Sequence, residues 1–239
     1  MSRLAELLAD TAHRPYPLPA GGWRYYQEWN EALFLHWRVP LAVLRPLVPA
    51  GLDVDTFAGE AWVSVVGFTM QRIRPRYLPA LAPVSDFHEI NLRTYVVRDG
   101  RAGVYFLSIE AQKRVSAWLA RALSGLPYER ARMERSRRHY RSHNARTGFR
   151  LEAEFVIGAA ITAPTPLDKW LTERYCLYLE RAGAVLRYDI QHRPWPLARV
   201  DVQRLDVLYR VGALVLPPAP DAAHYSAGVQ VLAWGAARG

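Results

Sequence analysis

EINLRTYVV, residues 89–97, decides the architecture of this 239-residue chain. Side chains alternate across a strand with a period of two. Glu89, Asn91, Arg93 and Tyr95 therefore share one face, and Ile90, Leu92, Thr94 and Val96 take the other. The run is strand-length, carries β-branched and aromatic residues, and closes at the turn signal Asp99-Gly100. An acid, an amide, a base and a phenol on one face have two uses. They solvate one side of an open sheet, or they line a pocket where the sheet closes and that face looks inward.

The same alternation recurs on both sides of this run. ALFLHWRV (32–39), AWVSVVGFTM (61–70), VYFLSIEA (104–111), RLEAEFVIG (150–158), VLRYDIQ (185–191) and YSAGVQVLAW (225–234) all read as strands separated by turn residues. Helical periodicity is local. PLAVLRPLVP (40–49) predicts a short helix with Leu41, Leu44 and Leu47 on one side. VSAWLARAL (115–123) predicts a helix ended by Gly125 and Pro127, and PLDKWLTERYCLYL (166–179) one that turns β-like at its end. Few helices and many strands without βαβ alternation give an α+β chain, mainly an antiparallel, barrel-like sheet with flanking helices. No repeat or linker divides it, so one domain is expected over 1–239, with residues 1–22 as an N-terminal helix and lead-in.

Composition narrows the function classes. Hydrophobic residues make up 51% and charged residues 22%, as in an ordinary globular protein. No apolar run approaches the roughly 20 residues that cross a bilayer, and MSRLAELLADTAHRPYP breaks its leucines with Glu6 and Asp10. No membrane association and a cytoplasmic location are expected. The single cysteine, Cys176, lies in the apolar run YCLYL, where a thiol is inert. HExxH, CxxC, GxSxG, GxGxxG and P-loop patterns are all missing, so neither a metal nor another cofactor is expected. The net charge of +9 concentrates in RARMERSRRHYRSHNAR, residues 130–146. Without a nucleic-acid-binding motif that segment reads as strand faces or a pocket wall, and nucleic acid or an anionic surface is the lesser alternative. A homo-oligomer stays open.

Three segments carry candidate chemistry. Beside the polar face of 89–95, the stretch SGLPYERARM (124–133) places Tyr128, Arg130 and Arg132 on one side of an extended strand. A phenol near arginines donates to a carbonyl or carboxylate oxygen, or stacks on a guanidinium at the surface. QHRPWPL (191–197) holds His192 and Trp195 in a loop stiffened by Pro194 and Pro196, a shape suited to plugging a barrel end. His36 lies mid-strand, where a satisfied core histidine is the plainer reading.

HWRVPLAVLRPLVPAGLDVD (36–55), FHEI (87–90) and RALSGLPYE (121–129) together resemble segments of the acetoacetate decarboxylase superfamily. With LTERYCLY, HRPWPL and HYSAGVQV, nearly the whole chain is most similar to its YqjF-like branch, a family of unknown function. The resemblance implies a barrel-like sheet around a buried pocket. It also implies that the imine-forming lysine pair would fall at Tyr128 and Glu129, the pocket acid at Glu89, and an arginine before the first strand at Asn30. A phenol cannot form an imine, so an imine-forming decarboxylase is not expected. The leading expectation is a pocket for an organic acid or carbonyl compound. Arg93 and Arg132 would hold a carboxylate, with Asn91, Tyr95 and His192 as further contacts. Glu89 would act as base or as the orienter of Arg93, and Tyr128 as hydrogen-bond or proton donor. If catalytic, it is a lyase, isomerase or hydratase working without a covalent intermediate; the alternative is a non-catalytic metabolite carrier.

Overall fold

The structure is a computed structural model that describes residues 3–81, 85–112 and 128–238. The expected helix at 115–123, its Gly125-to-Pro127 turn and Lys113 lie outside the described residues. Before the sheet comes α1 (Arg3–Ala9). The first strands are β1 (Tyr25–Val39), β2 (Asp53–Val54), β3 (Thr56–Phe57), β4 (Glu60–Pro75), β5 (Phe87–Arg98) and β6 (Arg101–Ala111). Next come β7 (Tyr128–Arg130), β8 (Arg132–Arg135), β9 (His139–His143) and β10 (Arg150–Ala160). The chain ends with β11 (Cys176–Arg181), β12 (Ala184–Gln191), β13 (Leu197–Leu208), β14 (Arg210–Val211), β15 (Leu214–Val215), β16 (Ala222–Ala233) and β17 (Ala237–Arg238). Between β1 and β2 lie α2 (Leu41–Leu44) and a 3-10 turn, Arg45–Leu47; α3 (Pro166–Thr172) precedes β11.

Almost all strands join one sheet, and its path returns on itself. The order β12-β11-β6-β5-β4-β1-β16 closes where Ile190 and Gln191 of β12 pair with Ala233 and Leu232 of β16. Neighbours around this ring are antiparallel except β11 with β6. From β16 the sheet continues through β13, β10, β9 and β8, which fold over the outside of the ring. β1, β4 and β5 are therefore buried on both faces, which explains their dense apolar content. Leu33, Leu35, Val63, Val65, Ile90 and Leu92 pack outward against Leu151, Ala153 and Phe155 of β10. Ala32, Phe34, Val66 and Phe68 point the other way, into the ring, with Trp195 and Val231.

The expected alternation of 89–96 holds, and the polar face is the inward one. Glu89, Asn91, Arg93 and Tyr95 are all buried. At one end of the ring α3 packs Leu171 against Tyr95, Trp62 and Val104. Its start is fixed by a capping box, in which Thr165 accepts from the Asp168 amide and the Asp168 carboxylate accepts from the Thr165 amide. The 40–49 helix is shorter than its periodicity implies. Pro46 has no N–H for an α-helical ladder, the run tightens into the 3-10 turn, and Leu41 ends 46% exposed rather than buried.

One close approach matters for the site. Gly67 of β4 pairs with Ile90, and the ring of Tyr140 from β9 lies where its side chain would be. Tyr140 passes through this notch to donate from its hydroxyl to the Glu89 carbonyl oxygen (2.7 Å). Arg135 stacks on the same ring at 4.9 Å and donates to the Gly67 carbonyl.

Candidate active site

Inside the ring, β5 presents its polar residues in a ladder about 6.6 Å apart, two residues of strand rise per step. Glu89 is 3% exposed. The Tyr128 hydroxyl donates to its Oε2 (2.9 Å) and the Asn91 amide to its Oε1 (3.3 Å). β7 runs parallel to β6 with Tyr128 opposite Ile109, which brings the phenol across β6 to β5. Burial pushes the Glu89 carboxyl up to about 7, against the hydrogen bonds from Tyr128 and Asn91 that pull it down. Tyr128 is held well above its ordinary range by burial, then by the charge and hydrogen bond of Glu89. At neutral pH the pair is thus a carboxyl group poised between its two forms and a phenol that keeps its proton.

Deeper in the ring, Arg93 is 8% exposed and has no acidic partner among the described residues; its Nη2 donates to the Leu171 carbonyl oxygen at 3.4 Å, with the Tyr95 hydroxyl beside it. Its Nε and the Asn91 Oδ1 are buried without any hydrogen bond. The guanidinium stands 5.7 Å over the Phe34 ring. A desolvated cation with unused donors calls for an anion. Arg174 adds a second guanidinium, held by Asp55 at 2.6 Å and by the Trp170 carbonyl, with its Nη2 still unpartnered.

Two cavities meet at Glu89. The outer one, about 240 Å³, is lined by Tyr25, Trp29, Phe68, Met70, Ile73, Glu89, Phe106, Tyr128, Tyr188 and Trp234, among others. The inner one, about 40 Å³, is lined by Asn91, Arg93, Arg174, Cys176, His192 and Trp195 with aromatic and aliphatic neighbours. They share Trp29, Phe68, Glu89 and Phe106 as walls. The inner space fits a small polar head group, the outer one an apolar body.

The structure thus unites Glu89, Asn91, Arg93 and Tyr128, and adds His192 on the far wall. His192 is stacked 4.7 Å from Tyr175, with Nδ1 2.7 Å from the Arg193 carbonyl oxygen. Two expected contacts fall elsewhere. Arg132 is a correction: the alternation runs through 130–134 so that Ala131 and Met133 are buried, and the Arg132 side chain is 85% exposed beside Glu134 (3.4 Å). β7 ends at Arg130 and β8 begins at Arg132; Tyr128 faces inward, while Arg130, on the same side of β7, and Arg132 are exposed. Tyr95 is the other correction: it lines neither cavity, and its hydroxyl donates to the Leu171 carbonyl oxygen (2.9 Å) beneath Arg93. Asn30 binds Gln71 (2.7 Å) and also lies outside both cavities. Lys169 is exposed on α3.

The basic segment 130–146 is interleaved with acids rather than bare. Arg146 pairs with Glu129, Arg141 with Glu152, and Arg132 with Glu134. Among the described residues no group of three or more His, Cys, Asp or Glu side chains converges as a metal site. No described helix is long and apolar enough to cross a membrane. Sequence reasoning missed the aromatic walls, above all Trp29, Phe68 and Phe106, and missed Arg174. Phe68 was within reach, because it stands directly across the strand pair from Glu89.

Comparison with known proteins places this ring. Residues 26–230 match the family DUF2071, described as an uncharacterized conserved protein. The chain belongs to DUF2071. It is 36% identical over 226 residues to the uncharacterized protein YqjF of Bacillus subtilis (strain 168), covering 91% of this chain and 93% of that one. Solved structures that share the fold include three of different origin. The enduracididine biosynthesis enzyme MppR complexed with pyruvate aligns with a TM-score of 0.62 at 13% identity, over 94% of this chain and 93% of the other. An acetoacetate decarboxylase from Legionella pneumophila gives 0.61 at 9%, over 96% and 92%. An acetoacetate decarboxylase-like enzyme from Sphingomonas wittichii RW1 gives 0.59 at 17%, over 95% and 97%. This DUF2071 chain thus has the acetoacetate decarboxylase-like fold.

Proposed function

We propose that the ring binds an organic acid or carbonyl compound and acts on it by non-covalent acid–base chemistry. The ligand's carboxylate or other small anionic head enters the inner cavity, and its apolar part stays in the outer one. Arg93 is the observation that carries this reading: a buried guanidinium without an acid among the described residues, beside the unpartnered Asn91 Oδ1 and the unpartnered Nη2 of Arg174. The reacting atoms then lie at the shared wall, where Glu89 takes up or returns a proton and Tyr128 donates to a carbonyl or enolate oxygen. No imine enters this scheme. The turn that the resemblance assigns to the amine carries Tyr128 and Glu129, and the exposed Lys169 is far from the role.

A thermal-shift screen of oxo and hydroxy acids with short and long apolar tails tests it. Acids with a longer tail raise the melting temperature of the wild type most, and Arg93→Met abolishes the gain. If the best ligands stabilise Arg93→Met as strongly as wild type, the anion has another seat and the reading falls. Turnover, where found, follows ionisation of Glu89 near pH 7. In Tyr128→Phe that midpoint moves upward, because the carboxylate loses a donor that favours its charged form. Binding without turnover in every condition would instead mark a carrier.

A further inference from the structure

Below Arg93 a hydrogen-bonded chain runs across the floor of the ring. Asp168 Oδ1 accepts from His224 Nε2 (2.9 Å), His224 Nδ1 stands 3.1 Å from His36 Nε2, and His36 Nδ1 stands 2.6 Å from Ser64 Oγ. Ser64 Oγ is 2.6 Å from the Tyr95 hydroxyl, which reaches the Leu171 carbonyl oxygen at 2.9 Å. His36, Ser64 and Tyr95 are fully buried and His224 is 4% exposed; the Asp168 side chain, 18% exposed, is the solvent end.

Both ends of this chain can only accept, so these five contacts need five protons, besides a long 3.5 Å approach of the Tyr95 hydroxyl to His36 Nδ1. With both imidazoles neutral, His224, His36, Ser64 and Tyr95 supply one each, which makes four. The deficit leaves two oxygens 2.6 Å apart with no proton between them. Otherwise Tyr95 turns to Ser64, and the Leu171 carbonyl keeps only Arg93 Nη2 at 3.4 Å. A fifth proton completes every link.

We propose that the chain is a one-proton store, with Asp168 as its solvent end, whose filling sets positive charge against the floor of the pocket. The proton comes from water and no bond other than N–H and O–H changes. In the empty state both histidines carry hydrogen on Nε2, and Ser64 donates to His36. In the filled state His224 carries both ring protons, His36 holds its proton on Nδ1, and the Ser64 hydroxyl turns to Tyr95. His224 is the ring that becomes charged. Burial, then His224 and Arg93, hold His36 well below the ordinary imidazole range, which keeps it neutral. Burial acts against ionisation of Asp168, yet hydrogen bonds from Thr165 and His224 keep its carboxyl below the usual range, so an anion faces the new cation. The other charged groups around the chain are Arg93, Arg174 at 4.8 Å over the Tyr95 ring, Arg199 in register beside His224, and Lys169 next to Asp168 in sequence.

Nitrogen-15 NMR of histidine-labelled full chain, titrated from pH 8 to pH 5, tests the proposal without any ligand. Expected is the uptake of one proton by the pair, with His224 becoming an imidazolium while His36 moves from its Nε2–H to its Nδ1–H tautomer. Tyr95→Phe removes two links and one proton, leaving three of each, so the neutral chain is already complete. The midpoint of proton uptake by the chain then falls by about one pH unit, the worth of one hydrogen bond, and His36 keeps its Nε2–H form. Ser64→Ala leaves the same balance and serves as the second variant should the first not fold. Two neutral rings at pH 5, uptake of two protons, or a midpoint unmoved by either hydroxyl deletion would overturn it.

Discussion

Glu89 and Glu110 are near twins in their immediate surroundings. Each is a buried carboxylate with a tyrosine hydroxyl on Oε2 and an asparagine amide on Oε1. Tyr128 and Asn91 serve Glu89, while Tyr209 (2.8 Å) and Asn144 serve Glu110. Burial raises the pKa of both. They differ in what lies beyond the donors. Asn144 spends its own oxygen on the amides of Arg146 and Thr147, and Tyr209 packs in the apolar layer outside the ring, so that cluster is saturated. Asn91 leaves its oxygen unused, and Glu89 is a wall of two cavities. A buried acid alone marks neither catalysis nor binding; unspent hydrogen-bonding capacity beside empty space is the distinguishing mark.

The sharpest way to break the comparison is to remove each acid. Glu110→Ala strands Tyr209 and Asn144 in a dry layer and lowers folding stability by about 3 kcal/mol, read by urea unfolding at pH 7. If Glu110→Ala unfolds no earlier than wild type, the saturated cluster is not structural. For Glu89 the sign depends on pH. Its carboxyl holds a proton more tightly folded than unfolded, so that contribution is full below about pH 4.5 and is lost as pH rises through about 7. Glu89→Gln escapes the loss. Its stability matches wild type near pH 4.5 and exceeds it by about 3 kcal/mol at pH 8, while the proposed proton transfer disappears. Equal stabilities at pH 8 would show that Glu89 ionises freely and is no twin of Glu110.

Smaller effects sharpen the picture. Arg93→Met replaces an unpaired buried cation with an apolar side chain of similar length. Unfolding experiments should find it neutral or up to about 1 kcal/mol more stable, although anion binding is lost. A loss of several kcal/mol would mean that Arg93 supports the fold, not a ligand. Arg132→Ser changes stability by less than about 0.5 kcal/mol and leaves ligand-induced thermal shifts as they are, since its side chain faces solvent.

Much of this was legible beforehand because period-two alternation survives wherever one strand face is polar. The ladder Glu89, Asn91, Arg93 reads off the sequence, and closure of the ring makes that face the interior. Arg132 differs because alternation gives a side and not its surroundings: Arg130 and Arg132 continue the side of Tyr128, yet both are exposed and line neither cavity. Tyr95 shares the correct face yet lies past the end of the inner cavity, where α3 covers it; strand periodicity gives direction, not depth. The long-range partners were illegible for another reason. Asp168 meets His224 across 56 residues, and Glu110 meets Tyr209 across 99, contacts that no local pattern encodes.

The notch at Gly67 makes the Glu89 carboxylate hostage to a residue that never touches the pocket. Tyr140 braces the Glu89 backbone from behind only because β4 has no side chain there. Any engineering that widens or re-aims this chamber must keep that vacancy, since even a methyl group at position 67 would lever the brace away and let the acid drift.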